Sequence, residues 1–195
     1  MRLAVLLLTC LLASGCGSGE AMPAPVEAPK GEEAATLEAR DEEPGPIDWR
    51  DEERGFTVSY PETWQRAPSP LTPYLSDPLE LLALGTYELR PSGDRCAHQP
   101  VNAIEDLGPR DVLIVIFERA RPYAEGGYPP RQGPPELAGG TGRFCVPGTN
   151  RSDSWFSFGE SGRAFYALIA LGENASEETR AQLYAIYESI SFDEN

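Results

Sequence analysis

Asp111-Val112-Leu113-Ile114-Val115-Ile116-Phe117-Glu118 is the stretch on which the fold turns. Six apolar residues stand in a row between two acids, with no polar side chain to give either face to water. The run predicts a central strand covered on both sides. C-terminal to it, Arg143 to Val146 reads as a short strand. Ser154–Phe158 and Arg163–Leu171 then flank Gly159-Glu160-Ser161-Gly162, which predicts a hairpin. Leu183, Ile186, Tyr187 and Ile190 fall at helical spacing, with Ser176 placed to cap that helix and Glu177 and Glu178 placed against its N-terminal dipole.

N-terminal to the central run, the stretch from Gln99 to Pro109 has Pro100 at a first-turn position and Gly108-Pro109 after the end, which predicts a two-turn helix. Leu79 to Leu89 predicts a second long strand, with Gly85 as a bulge. Phe56, Val58 and Tyr60 alternate with Thr57 and Ser59, giving a half-buried strand that Pro61 ends; Trp64 follows after a turn. Together these elements predict an α+β domain: an antiparallel sheet of five to seven strands with a few helices.

Outside the domain the sequence changes character. All three Trp and every Phe and Tyr lie beyond Ile47. Residues 17–46 hold eight acids, five Pro and no aromatic residue. Such a segment buries too little apolar surface to offset the entropy of ordering it, and reads as an acidic tether with a mean reach of about 30 Å. The formal net charge of −15 divides into +1 for residues 1–16, −6 for residues 17–46 and −10 for residues 47–195. A chain this acidic lacks the basic face that phosphate neutralisation needs, which argues against a nucleic-acid partner.

Met1-Arg2 precedes an uncharged run of 11 residues, Leu3 to Ala13. A membrane span needs about 20 apolar residues, so the run is an export signal rather than an anchor helix. Ala13-Ser14-Gly15-Cys16 follows and resembles the lipobox of bacterial lipoproteins, with Ala13 where Leu is commonest. The resemblance implies that residues 1–15 are removed and that Cys16 is acylated, palmitate among its chains, holding the protein on the outer side of a bacterial membrane. Two or three acyl chains anchor stably where one is marginal. A plain signal peptide, cleaved near Ala13 or Gly15, is the competing reading. The predicted organisation is therefore signal 1–15, lipidated Cys16 and tether 16–46, and one domain over 47–195.

Gly55-Phe56-Thr57-Val58-Ser59-Tyr60-Pro61-Glu62-Thr63-Trp64 is similar to the opening of PsbP/Mog1-like domains, and the helix running into Ser189-Ile190-Ser191-Phe192 to their ending. The resemblance, to bacterial lipoproteins of actinobacterial type, implies an α/β/α sandwich around a central antiparallel sheet. It also implies an accessory rather than catalytic role, and it carries over no functional residue.

Of the four Cys, Cys10 lies within the signal and Cys16 is the acylation site, which leaves Cys96 and Cys145. In an exported protein such a pair predicts a disulfide, worth roughly 4 kcal/mol for a loop of about 50 residues. The alternative is a metal site of Cys96, His98 and Cys145, one ligand short of the usual zinc set. His98 is the only histidine, so a hydrolase would have to use it. Gly159-Glu160-Ser161-Gly162-Arg163 misses the nucleophile-elbow pattern at its last position, and the domain has no Lys for a phosphate loop. The pairs Glu105-Asp106 and Glu177-Glu178 read as solvated helix turns. No catalytic residue, metal or cofactor is assigned.

The segment from Arg119 to Glu136 carries Arg119, Arg121, Tyr123, Tyr128 and Arg131 among Pro and Gly. Long irregular segments in compact domains are functional or simply mobile, and Arg and Tyr dominate binding hot spots. These five residues are the candidate lip for an envelope protein or glycan. Trp49, Trp64 and Trp155 are the alternative, a sugar-stacking platform, but strand aromatics are usually core and are read so here.

Overall fold

The structure, a computed structural model, describes residues 45–93, 96, 98–121, 127–133, 137 and 151–194. The signal, Cys16, the tether up to residue 44, Tyr123, Cys145 and the strand expected over Arg143–Val146 lie outside the described residues. The fold is α+β, with eight strands in two antiparallel sheets and two helices among the described residues.

The apolar run is the middle of the larger sheet. Its strand β5 (Val112–Arg119) is flanked by β4 (Leu79–Gly85) and β7 (Arg163–Gly172), with β3 (Gln65–Arg66) and β6 (Arg151–Glu160) at the edges. Every pairing in this sheet is antiparallel. Because strand side chains alternate, one run serves two cores. Val112, Ile114 and Ile116 belong to one core cluster, and Leu113, Val115 and Phe117 to the other. Strand β7 divides likewise, with Ala167 and Ile169 on the first face and Leu168 and Ala170 on the second.

The second face is covered by a short helix, α1 (Val101–Asp106), through Val101, Ala103 and Ile104, and by Leu71 and Leu89. The first face is covered by the longer helix α2 (Glu177–Ser189), through Leu183, Ile186 and Tyr187, and by a small sheet. That sheet has the order β1 (Pro46–Asp51), β2 (Phe56–Pro61), β8 (Ser191–Phe192). A central antiparallel sheet between helical layers is thus present, but the strand containing Phe56, Val58 and Tyr60 is not in it. Those three residues, all buried, point from β2 down onto the large sheet like the apolar stripe of a helix.

Two other local expectations are corrected. The irregularity in β4 lies between Glu80 and Leu82, while Gly85 pairs in register with Leu113 and Gln65. Gly85 is there for room, since a Cβ would come within 2.9 Å of Leu89 Cδ2. Strand β4 also stops at Gly85 rather than Leu89, whereas α1 lies where the short helix was expected, between Pro100 and Gly108-Pro109. The hairpin turns on Ser161-Gly162 alone, both residues having positive φ (50° and 72°), the geometry of a tight hairpin that follows strand twist. Ser161 Oγ donates to Phe192 O at 3.0 Å, tying this turn to the small sheet.

Arg163 joins the two sheets. Its guanidinium pairs with both carboxylate oxygens of Glu118 at 2.7 and 2.8 Å and donates to Gly55 O at 3.1 Å. It also lies over the rings of Phe165 and Phe192. With only 7% of its side chain exposed, this cation relies on these partners for its solvation.

Candidate functional site

The residues of the predicted lip separate. Arg119, the last residue of β5, is buried; its guanidinium lies over Tyr166 and Nη2 is 3.5 Å from His98 Nδ1. Arg121 is exposed and Tyr128 half-buried. Arg131 comes down on the opposite core. It pairs with Glu160 Oε2 at 2.6 Å, donates to Tyr187 O at 2.8 Å and to Ile190 O at 2.5 Å, and lies over the rings of Tyr187 and Phe158. It therefore satisfies carbonyls at the end of α2 that the helix itself leaves unpaired. Pro130 forms a parallel bridge with Gly159, and Gly159 N donates to Pro129 O at 2.7 Å, so this part of the segment is fastened to the edge of β6. Burial pushes the Tyr187 hydroxyl up to about 12, against the opposing effect of the Arg131 charge.

His98 stands in a left-handed backbone conformation (φ 67°) beside Cys96, which is not a free thiol. Burial, and then the Arg119 charge, hold the imidazole below its ordinary range, with Asp77 acting the other way. Among the described residues no three His, Cys, Asp or Glu side chains are grouped to hold a metal.

The three Trp differ. Trp64 is core, 2% exposed, and donates Nε1–H to Gln182 Oε1 at 2.9 Å. Trp155 is half-buried against Phe117 and Tyr166 on the second face. Trp49 is different: it packs edge-on to Phe56 but remains partly open, with the Arg66 guanidinium 4.4 Å from its ring centre.

Trp49 lines two hollows. The first, about 180 Å³, opens where β1 and β3, edge strands of the two sheets, face one another. Arg54, Arg66 and Asp51 stand in its walls, Pro68 and Pro70 at one side, and Leu81 in its floor. Arg54 is held by Asp51 at 3.0 Å, whereas Arg66 has no carboxylate partner among the described residues. Beneath lies Glu80, 5% exposed, accepting from Leu71 N and Thr72 N at 2.8 Å and from Thr72 Oγ1 at 2.6 Å. Burial raises its carboxyl above the ordinary value despite those three donors. The second hollow, about 250 Å³, lies on the outer side of the small sheet, lined by Asp48, Arg50, Thr57, Ser59 and Ser189 with Trp49.

Sequence reasoning placed Trp49 in the core and gave Arg66 no role. The one signal for Trp49 was its setting, Asp48-Trp49-Arg50-Asp51, an aromatic residue among charges. No family model matches the chain, and neither a curated protein nor a solved structure matches it.

Proposed function

We propose that this chain is a lipid-anchored extracytoplasmic lipoprotein whose domain binds a partner in the cell envelope rather than transforming a substrate. The observation that carries the anchor is Ala13-Ser14-Gly15-Cys16 at the end of a short uncharged run. Acylated Cys16 holds the membrane, the acidic tether keeps the domain off an anionic surface, and the domain engages an envelope protein or glycan, not a nucleic acid. A Cys96–Cys145 disulfide suits that compartment. The open hollows at Trp49 support binding, because ligand sites are concavities with a few placed polar groups. Cys16→Ser should move the protein from the membrane fraction to the soluble fraction; continued retention would overturn the anchor.

A second reading, a hydrolase or metalloprotein using His98, draws on that residue's left-handed backbone, since such strain concentrates at functional sites. Metal content and hydrolytic activity of the His98→Ala protein, compared with the parent, separate the two.

A further inference from the structure

We infer that the first hollow, where Arg66 lies over Trp49, binds a small organic acid: one carboxylate on a compact apolar body. The inference rests on the reading of the domain as a binding module and gives that module a ligand class. The charged groups of this hollow are matched inside the domain, with one exception. Arg54 is held by Asp51 at 3.0 Å, and Glu80 is met by two N–H groups and a hydroxyl. Arg66 has no such match. Its Nη1 reaches Ala67 O at 3.4 Å, while Nε and Nη2 bond nothing among the described residues. Carboxylates are not scarce, since residues 47–195 hold 23 acids against 13 bases.

The guanidinium is held before any ligand arrives, its carbon 4.4 Å from the centre of the Trp49 ring. Trp49 is thus a platform for the cation, not for the ligand. The open Nε–H and Nη2–H run parallel, the geometry that meets both oxygens of a carboxylate. One unmatched cation beside a buried acid suits a single negative charge rather than the roughly two of a phosphate ester. The body of the ligand is set by the walls. Pro68-Ser69-Pro70 is pinned to β4 at both ends: Ala67 N donates to Ala83 O at 3.0 Å before it, and Leu71 N to Glu80 Oε1 at 2.8 Å after it. Proline narrows the backbone further, so little ordering is left to be done on binding. With Leu81 these prolines give the hollow an apolar side. Its volume, about 180 Å³, is close to the roughly 150 Å³ that takes up one benzene molecule. The body is therefore the size of one ring. Acetate would leave the prolines and Leu81 wet, and a neutral ring would leave the Arg66 donors unmet.

The test titrates the full chain separately with benzoate, with its neutral counterpart benzamide and with acetate, following heat by calorimetry and site by backbone amide shifts. Benzoate is expected to bind at least tenfold more tightly than either, shifting amides of residues 66–71 and 81–83. Arg66→Gln should bring benzoate down to the level of benzamide. Arg66→Lys, which keeps the charge without the parallel donors, should weaken benzoate at least threefold. Arg66 is exposed, so unchanged melting temperatures are expected of both variants. Equal affinity for benzoate and benzamide, no binding at millimolar concentration, amide shifts elsewhere on the domain, or an undiminished preference in Arg66→Gln would overturn the inference. So would a tenfold gain in benzoate affinity on changing Asp41, Glu42 and Glu43 to amides, since the chain's own acids would then fill the site. If benzoate fails but the immobilised chain still retains an envelope protein, the site falls while the binding module stands. If it retains nothing, both fall.

Discussion

Glu80 shows how one buried carboxylate organises a wall of the candidate site. Its two oxygens gather the N–H groups of Leu71 and Thr72 and the Thr72 hydroxyl, fixing the loop that follows Pro68-Ser69-Pro70. Its pKa is raised on folding, chiefly by burial, from an ordinary value of 4.5. A raised acid contributes stability that is complete below its unfolded pKa and is lost as pH climbs through the folded one. The protein should therefore lose stability as pH rises through the window immediately above 4.5. Glu80→Gln should remove that contribution to the slope. It should also cost about 1–3 kcal/mol, because the amide's NH₂ cannot accept from both backbone donors. Urea denaturation across a pH series measures both. None of this was legible in the sequence, where Glu80 interrupts an apolar run and its partners, eight and nine residues earlier, lie among prolines.

At the level of elements, the legible parts were those in which local chemistry and tertiary packing agree. Ser176 caps α2 as its position suggested, accepting from Thr179 N at 3.0 Å, with Glu177 and Glu178 in the first turn. Ser176→Ala should cost about 1 kcal/mol, seen as a lower urea midpoint at unchanged slope. The β6–β7 hairpin was legible from its turn, and β5 from its unbroken apolar run. Strand β1 was not. Half of its six residues are charged, it opens on a proline, and it follows a proline-rich stretch, so no alternation stands out until Ile47, Trp49 and Asp51 are seen opposite Tyr60, Val58 and Phe56. Those features also guard an edge strand against pairing with other chains. The irregularity in β4 was misplaced because glycine is a common mark of a bulge, whereas here the strand breaks register beside the buried Glu80.

At the scale of the whole molecule, the predicted lip dispersed because sequence neighbours need not be sheet neighbours. Arg119 ends β5, but the chain next meets the sheet at the outer edge of β6, and β7 lies between those strands. Arg119 and Arg131 therefore reach opposite faces of the large sheet. Arg131→Ala should destabilise the fold by about 2–3 kcal/mol, removing an ion pair and two donors to helix-end carbonyls. Thermal unfolding with a circular-dichroism readout tests that figure, and a loss below 0.5 kcal/mol would return Arg131 to the surface. The site on β1 was hidden for a related reason: Trp49 and Arg66 are 17 positions apart and meet only because the small sheet folds over the large one.

That small sheet brings the two ends of the domain together. Its central strand is bordered by the first strand on one side and the last on the other, with Asp51 and Phe192 both level with Phe56. Two strand spacings and five residues of rise put Pro46 and Phe192 about 20 Å apart. A linker of about eight residues would close the chain into a ring at extended reach. The tight turn at Ser161-Gly162 then offers a place to open it elsewhere, so the order of elements along the chain is separable from their arrangement in space.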